Sequence, residues 1–198
     1  MMKAITSLTA LVLGATLATS AMAQTEAAPD SPDAETTEAQ GSDGQSAAEG
    51  AHVLANGQST DAVEMTDGRW RNDEGIPTFK VEDGVVDFAT FNGFRRYHAE
   101  CHVCHGPDGE GSTYAPALKE SVLRMDYYDF MEVVASGRQG TNSVMPAFGT
   151  NKNVWCYIDD IYTYLVAHGT ETIGRGRPAE RADKPEEYTA LEDSCMEM

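Results

Sequence analysis

The chain has 198 residues, and its 32 acidic side chains outnumber the 14 basic ones to leave a formal charge of −18. A surface of that sign repels nucleic acid and anionic lipid; it suits either plain solubility or steering toward a basic patch on a protein partner. Cysteine is scarce, four residues in all, and two of them fall with two of the five histidines inside "CHVCHGPDGEG", residues 101–111.

At the N-terminus Lys3 precedes an apolar run over 4–18, followed by Ala21-Met22-Ala23. A basic residue, an apolar stretch and an A-x-A-like site make the pattern of a secretory signal peptide, expected over 1–23. The run is shorter than the roughly 20 apolar residues of a membrane span, and no later stretch is apolar enough to cross a bilayer. The mature chain is therefore expected to be soluble and exported, in a place where disulfides survive. Residues 24–62 carry eight acids and no Lys or Arg, in an Ala-, Ser-, Thr-, Gln- and Gly-rich background. So little apolar surface cannot offset the entropy of ordering, and a disordered acidic linker is expected there.

From 63 to 86 turn formers punctuate the chain (Asp67-Gly68, Gly75, Pro77, Asp83-Gly84). This predicts an irregular extension with a small hairpin over 78–86. Three helices follow. In 87–101, Phe91, Phe94, Tyr97 and Cys101 recur at three- and four-residue spacing. In 126–136, Asp126 can cap, Tyr127, Phe130, Met131 and Val134 form the apolar face, and Gly137 can stop the helix. In 154–168, Trp155, Ile158, Ile161, Tyr162 and Leu165 lie on one stripe before Gly169. Two Gly/Pro-rich loops, 105–121 and 137–152, lie between the helices, and no alternating strand pattern of any length appears. The fold class expected is all-α, with three main helices in a domain over 87–170 and a C-terminal tail over 171–198. Loops that long in a small helical domain need something to pack around, and a flat apolar cofactor would answer that need.

Cys101-x-x-Cys104-His105 has the spacing of a covalent c-type haem site. Two thiols three residues apart lie on one side of a helical turn and can bond the two vinyl groups of one porphyrin edge. The next residue, His105, then lies under the iron. Three rivals fare worse. Zinc wants four Cys/His ligands, usually in two pairs, and Cys156 has no partner at pair spacing. A thioredoxin-like dithiol belongs to a βαβ pattern that this chain lacks. A Cys101–Cys104 disulfide leaves His105 unexplained.

The second axial position could fall to Met125, Met131, Met145, His98 or His168. Met145 is the best placed, because it sits in the loop "NSVMPAF" beside the stiffening Pro146. Met125 and Met131 read as core methionines, and His98 and His168 as solvent-facing or helix-end residues. An iron closed by His105 and Met145 has no free position for substrate, which favours an electron carrier over an enzyme or an open-site sensor; His/Met ligation raises the potential relative to bis-His. Asp159-Asp160 could be mistaken for a catalytic pair but read as helix-surface acids.

These motifs resemble those of the class I cytochromes c. Gly93, Tyr97 and Cys101 match the four-residue intervals of that family's first helix, and Tyr164-Leu165 the end of its last. The likeness implies that the two helices cross, with the glycine allowing close approach. Pro116 and Leu118 in "YAPAL" resemble the family's proline loop, in which the proline carbonyl orients the ligating imidazole and the leucine packs on the haem. A closer resemblance runs over 78–180, to the four-cysteine cytochromes of methylotrophic bacteria, of the cytochrome cL type. It implies one covalent haem c and an electron donor that is a quinoprotein (PQQ) methanol or alcohol dehydrogenase. The acceptor would be a further cytochrome c or a terminal oxidase. The competing reading is a general respiratory carrier without a dedicated dehydrogenase. The two remaining cysteines, Cys156 and Cys195, are expected to pair in an oxidising compartment, tying the tail to the third helix.

Overall fold

The protein is described here by a computed structural model covering residues 53–141 and 143–198. The expected signal peptide and residues 24–52 of the expected linker lie outside the described residues. The end of that linker, 53–62, is packed chain. Asn56 donates its backbone N–H to Leu123 O and its amide to Met125 O, while Leu54, Gln58 and Thr60 are buried. One apolar anchor and two amides that satisfy neighbouring backbone suffice here, although the segment's mean composition argues for disorder.

The extension after it is built from tight hairpins. Strand β1 (Glu64–Thr66) pairs antiparallel with β2 (Arg69–Arg71), and β3 (Val81–Glu82) with β4 (Val85–Val86). Each turn is an Asp-Gly pair with both residues at positive φ, the mirror-image turn that matches strand twist. Together with three further two-residue strands among the described residues, these hairpins correct the all-α expectation: segments so short cannot display an alternating pattern.

Helix α1 (Phe88–Glu100) starts at Asp87, whose side chain accepts from Thr90 N–H at 3.0 Å. Burial pushes the Asp87 carboxyl up, and hydrogen bonds from Lys80 and Thr90 oppose the shift. The chain turns at Cys101 into α2 (His102–His105), and later into α3 (Leu118–Ser121). Helix α4 (Tyr127–Ser136) is capped by Asp126 and stopped at Gly137, φ 72°. A short antiparallel pair follows, β5 (Arg138–Gln139) with β6 (Val144–Met145). The single helix expected over 154–168 is two, α5 (Lys152–Trp155) and α6 (Ile158–Gly169), broken at Tyr157 with φ −126° and ψ 21°. Helices α1 and α6 cross at Gly93, where an added Cβ would lie 1.9 Å from Asp160 O and 2.8 Å from Tyr164 Cβ.

The C-terminal segment is also structured. Strand β7 (Glu180–Arg181) joins β4 in parallel, and α7 (Glu186–Glu197) follows. Tyr188 of α7 is fully buried against Gly68, and Cys195 is bonded to Cys156 with Cα atoms 5.8 Å apart. Asp160 is not a surface acid. It is completely buried and accepts from Arg69 Nε at 2.7 Å, from Asn92 Nδ2 at 2.7 Å and from the Tyr188 hydroxyl. Asp159 accepts from Arg71 at 3.1 Å and from the Tyr127 hydroxyl. Asp159 stays partly exposed; Asp160 is buried because β2 and α7 cover a helix face that, read alone, is polar. His168 sits in the last turn of α6, a helix-end residue as expected, but is buried, and His98 is only partly exposed; their Nε2 atoms lie 4.0 and 3.7 Å from the buried Asp108.

Candidate functional site

The turn at the end of α1 sets the site. His105 N–H donates to Cys101 O at 3.0 Å and Cys104 N–H to the same oxygen at 3.2 Å, so one helical turn carries both thiols and the imidazole. The turn is held from two sides. The fully buried Tyr97 donates its hydroxyl to Gly106 O at 2.6 Å, and Gly111 N–H donates to His105 O at 2.7 Å. Gly106 has φ 74°, and a Cβ there would lie 2.4 Å from Gly111 O, so the return of the loop requires glycine.

His105 is buried, and its Nδ1 lies 2.9 Å from Pro116 O. A carbonyl can only accept, so Nδ1 carries the hydrogen and Nε2 keeps its lone pair for a metal. The turn opens onto an apolar cleft of about 120 Å³. Cys101, Cys104 and His105 line one wall. Leu118 and Leu165 stand beside them, and Met145, Pro146 and Phe148 line the cleft from the 137–152 loop. Met145 arrives there on β6, paired with Arg138. A second, more open hollow of about 370 Å³ lies at Asp129, Glu132 and Arg138; it is polar and lacks thiol and imidazole.

The donor set fits covalent haem: two adjacent thiols, an imidazole held in one tautomer, a thioether on the same cleft, and apolar walls. It does not fit the rivals. Among the described residues no group of three or more His, Cys, Asp or Glu is arranged to hold a metal. Burial, with Glu100 and Cys104 nearby, pushes the Cys101 thiol up to about 12, opposite to the depressed values of reactive redox dithiols. Met125 and Met131 pack partly buried against the core. Phe130, Val134 and Ile161 also line the cleft. Sequence reading placed Phe130, Val134 and Ile161 on apolar helix faces, but periodicity cannot tell a wall that faces a cofactor from one that faces protein.

Comparison with known proteins agrees with the geometry. Cytochrome c-553I of Paracoccus denitrificans is 64% identical over 155 residues, 76% of this chain and 69% of that protein. The chain belongs to the c-type cytochromes. The cytochrome is 41% identical over 102 residues to cytochrome c-555 of Methylococcus capsulatus, covering 51% of this chain and 76% of that one. The crystal structure of the c-type cytochrome XoxG from Methylobacterium extorquens AM1 superposes with a TM-score of 0.66 at 53% identity, over 69% of this chain and 86% of that one. The family described as cytochrome c oxidase, cbb3-type, subunit III matches residues 89–165. This cytochrome carries covalently bound haem c and is an electron-transfer protein, not an enzyme. Among the described residues no helix is long and apolar enough to cross a membrane.

Proposed function

We propose that the cytochrome is a periplasmic one-electron carrier that takes electrons from a quinoprotein methanol or alcohol dehydrogenase and passes them to a further cytochrome c or a terminal oxidase. Cys101 and Cys104 form the two thioethers, and His105 and Met145 ligate the iron. Pro116 O holds the His105 ring, and Leu118 packs on the macrocycle. The observation that carries this assignment is the shared cleft, with the His105 imidazole and the Met145 side chain both on its lining and Nδ1 anchored on Pro116 O.

The haem supplies a metal that cycles by one electron; the chain decides how that happens. Buried His105 and the apolar cleft exclude water. With His105 and Met145 both retained as ligands, little in the chain would have to rearrange between oxidation states. The reading of the donor is supported by the likeness of residues 78–180 to the cytochrome cL type.

Replacing Met145 with Ala is expected to abolish the methionine–iron charge-transfer band of the oxidised protein and to lower the potential. A surviving band would assign the position to another residue. The donor is tested by mixing the oxidised cytochrome with a substrate-reduced, PQQ-containing methanol dehydrogenase in a stopped-flow instrument. Haem reduction no faster than with the dehydrogenase omitted would remove that partner.

A further inference from the structure

We infer that Arg177 and Arg181 form a docking strip for a short carboxylate-rich segment of a protein partner, on a face that leaves the haem cleft open.

Arg175, Arg177, Arg181 and Lys184 follow one another in a chain whose acids outnumber its bases 32 to 14. All four are exposed. Their backbone is pinned at two points. Gly176 N–H donates to the buried Asp108 at 3.1 Å, and Ala182 N–H donates to Val86 O at 2.8 Å, where β7 pairs with β4. The segment is therefore ordered before anything binds, which lowers the entropy lost on docking.

Arg177 and Arg181 converge on the first turn of α1. The Arg177 guanidinium lies 5.1 Å from the centre of the Phe91 ring; that of Arg181 lies 5.4 Å from the same ring and 5.3 Å from Phe88. Each contact is within cation–π range. Two like charges over one ring also repel each other. Lys184 has a counter-ion in Glu192, and Arg175 has Asp108 at 3.6 Å. Among the described residues Arg177 and Arg181 have none, although Glu180 and Asp183 stand exposed in the same segment. Covering the phenylalanines accounts for one stacked cation. It does not account for a second set against it without a counter-ion. A guanidinium over a ring keeps its in-plane N–H groups turned outward, as the fork that takes a carboxylate with two parallel bonds. Arg181 uses one of these groups on Ala182 O at 2.9 Å, and Arg177 uses none among the described residues. Carboxylates seated on the pair satisfy both forks and remove their repulsion.

The charge of −18 selects among anions. An extended polyanion, such as nucleic acid or an anionic membrane, meets the field of the whole surface and is repelled. A short acidic segment meets only the charges within the screening length, about 8 Å at 0.15 M salt. No residue of 171–185 lines the cleft, so such a segment and the haem can be held at the same time. A partner tethered there stays near the cleft at raised effective concentration without blocking it.

The test titrates the holoprotein into a fluorescently labelled, short Glu-Ala peptide and follows anisotropy at low salt. Binding is expected, with an affinity that falls as salt is added and a haem absorption spectrum that does not change. The Gln-Ala counterpart of the peptide should not bind. Arg177→Gln combined with Arg181→Gln should weaken binding about tenfold or more, with circular dichroism reporting an intact fold. Arg124→Gln combined with Arg138→Gln removes the same charge from two other exposed arginines and should keep the affinity. No binding by the wild type, equal losses in the two double variants, binding of the Gln-Ala peptide, or tighter binding to phosphatidylglycerol vesicles than to the Glu-Ala peptide would each overturn the strip. The haem spectrum, recorded alongside, reports on the cleft separately.

Discussion

Gly93 occupies a position with no room for a side chain. An alanine Cβ would meet the backbone of α6 at 1.9 Å, and backbone cannot rotate away as a side-chain tip can. Gly93→Ala is expected to destabilise the holoprotein by about 3 kcal/mol or to block folding, by forcing apart the α1–α6 crossing; urea denaturation followed by circular dichroism measures it. Asp160, one helical layer away, titrates in the opposite sense to an ordinary surface acid. Burial raises its carboxyl from 3.8 to about 6, despite Arg69, Asn92 and Tyr188 favouring the charge. The folded state therefore binds the proton more tightly than the unfolded chain, and the contribution of this group to stability falls as pH rises from about 4 to 6. Denaturation of wild type and Asp160→Asn at pH 4, 5, 6 and 7 is expected to show that slope in the wild type alone. At pH 7, where the wild-type carboxyl is charged, Asp160→Asn should be the weaker of the two, because it leaves Arg69 buried without its counter-charge.

At the scale of elements, α7 is a 12-residue helix, a length that is marginal in isolation. It is held by Tyr188 under Gly68, by Tyr157 donating to Glu192 at 2.6 Å, and by the Cys156–Cys195 bond across 39 residues. Cys195→Ser is expected to lower stability by about 3–4 kcal/mol through the freed chain entropy. The haem spectrum should stay unchanged, since none of the cleft-lining residues lies in α7; thermal melts beside absorption spectra check both halves. Helices α1 and α4 were legible in the sequence because each carries a capping Asp and an apolar face, and α4 a stopping Gly. The strands were not, because two residues have no period. The break between α5 and α6 was hidden because Tyr157 continues the apolar stripe while its backbone leaves the helix.

For the molecule as a whole, the charge of −18 sets how a partner is met. Screening shortens the reach of that field from about 30 Å at 0.01 M salt to about 8 Å at 0.15 M. Reduction by a donor with a basic docking face is expected to slow across that interval, as stopped-flow rates would show; a flat dependence would assign the charge to solubility alone.

Local chemistry was decided by sequence alone. A thiol–thiol–imidazole run within one turn specifies a covalent haem, because only neighbouring residues are involved and their spacing is the geometry. The motifs around Gly93, Pro116 and Met145 were readable for the same reason, each being a short segment with its own constraint. Tertiary structure alone decided what covers what. Asp160 and His168 are buried, residues 53–62 are packed, and the cleft is walled by Phe130, Val134 and Ile161, because segments distant in the chain meet there. Burial is a property of the partner surface, and no window of sequence contains its partner.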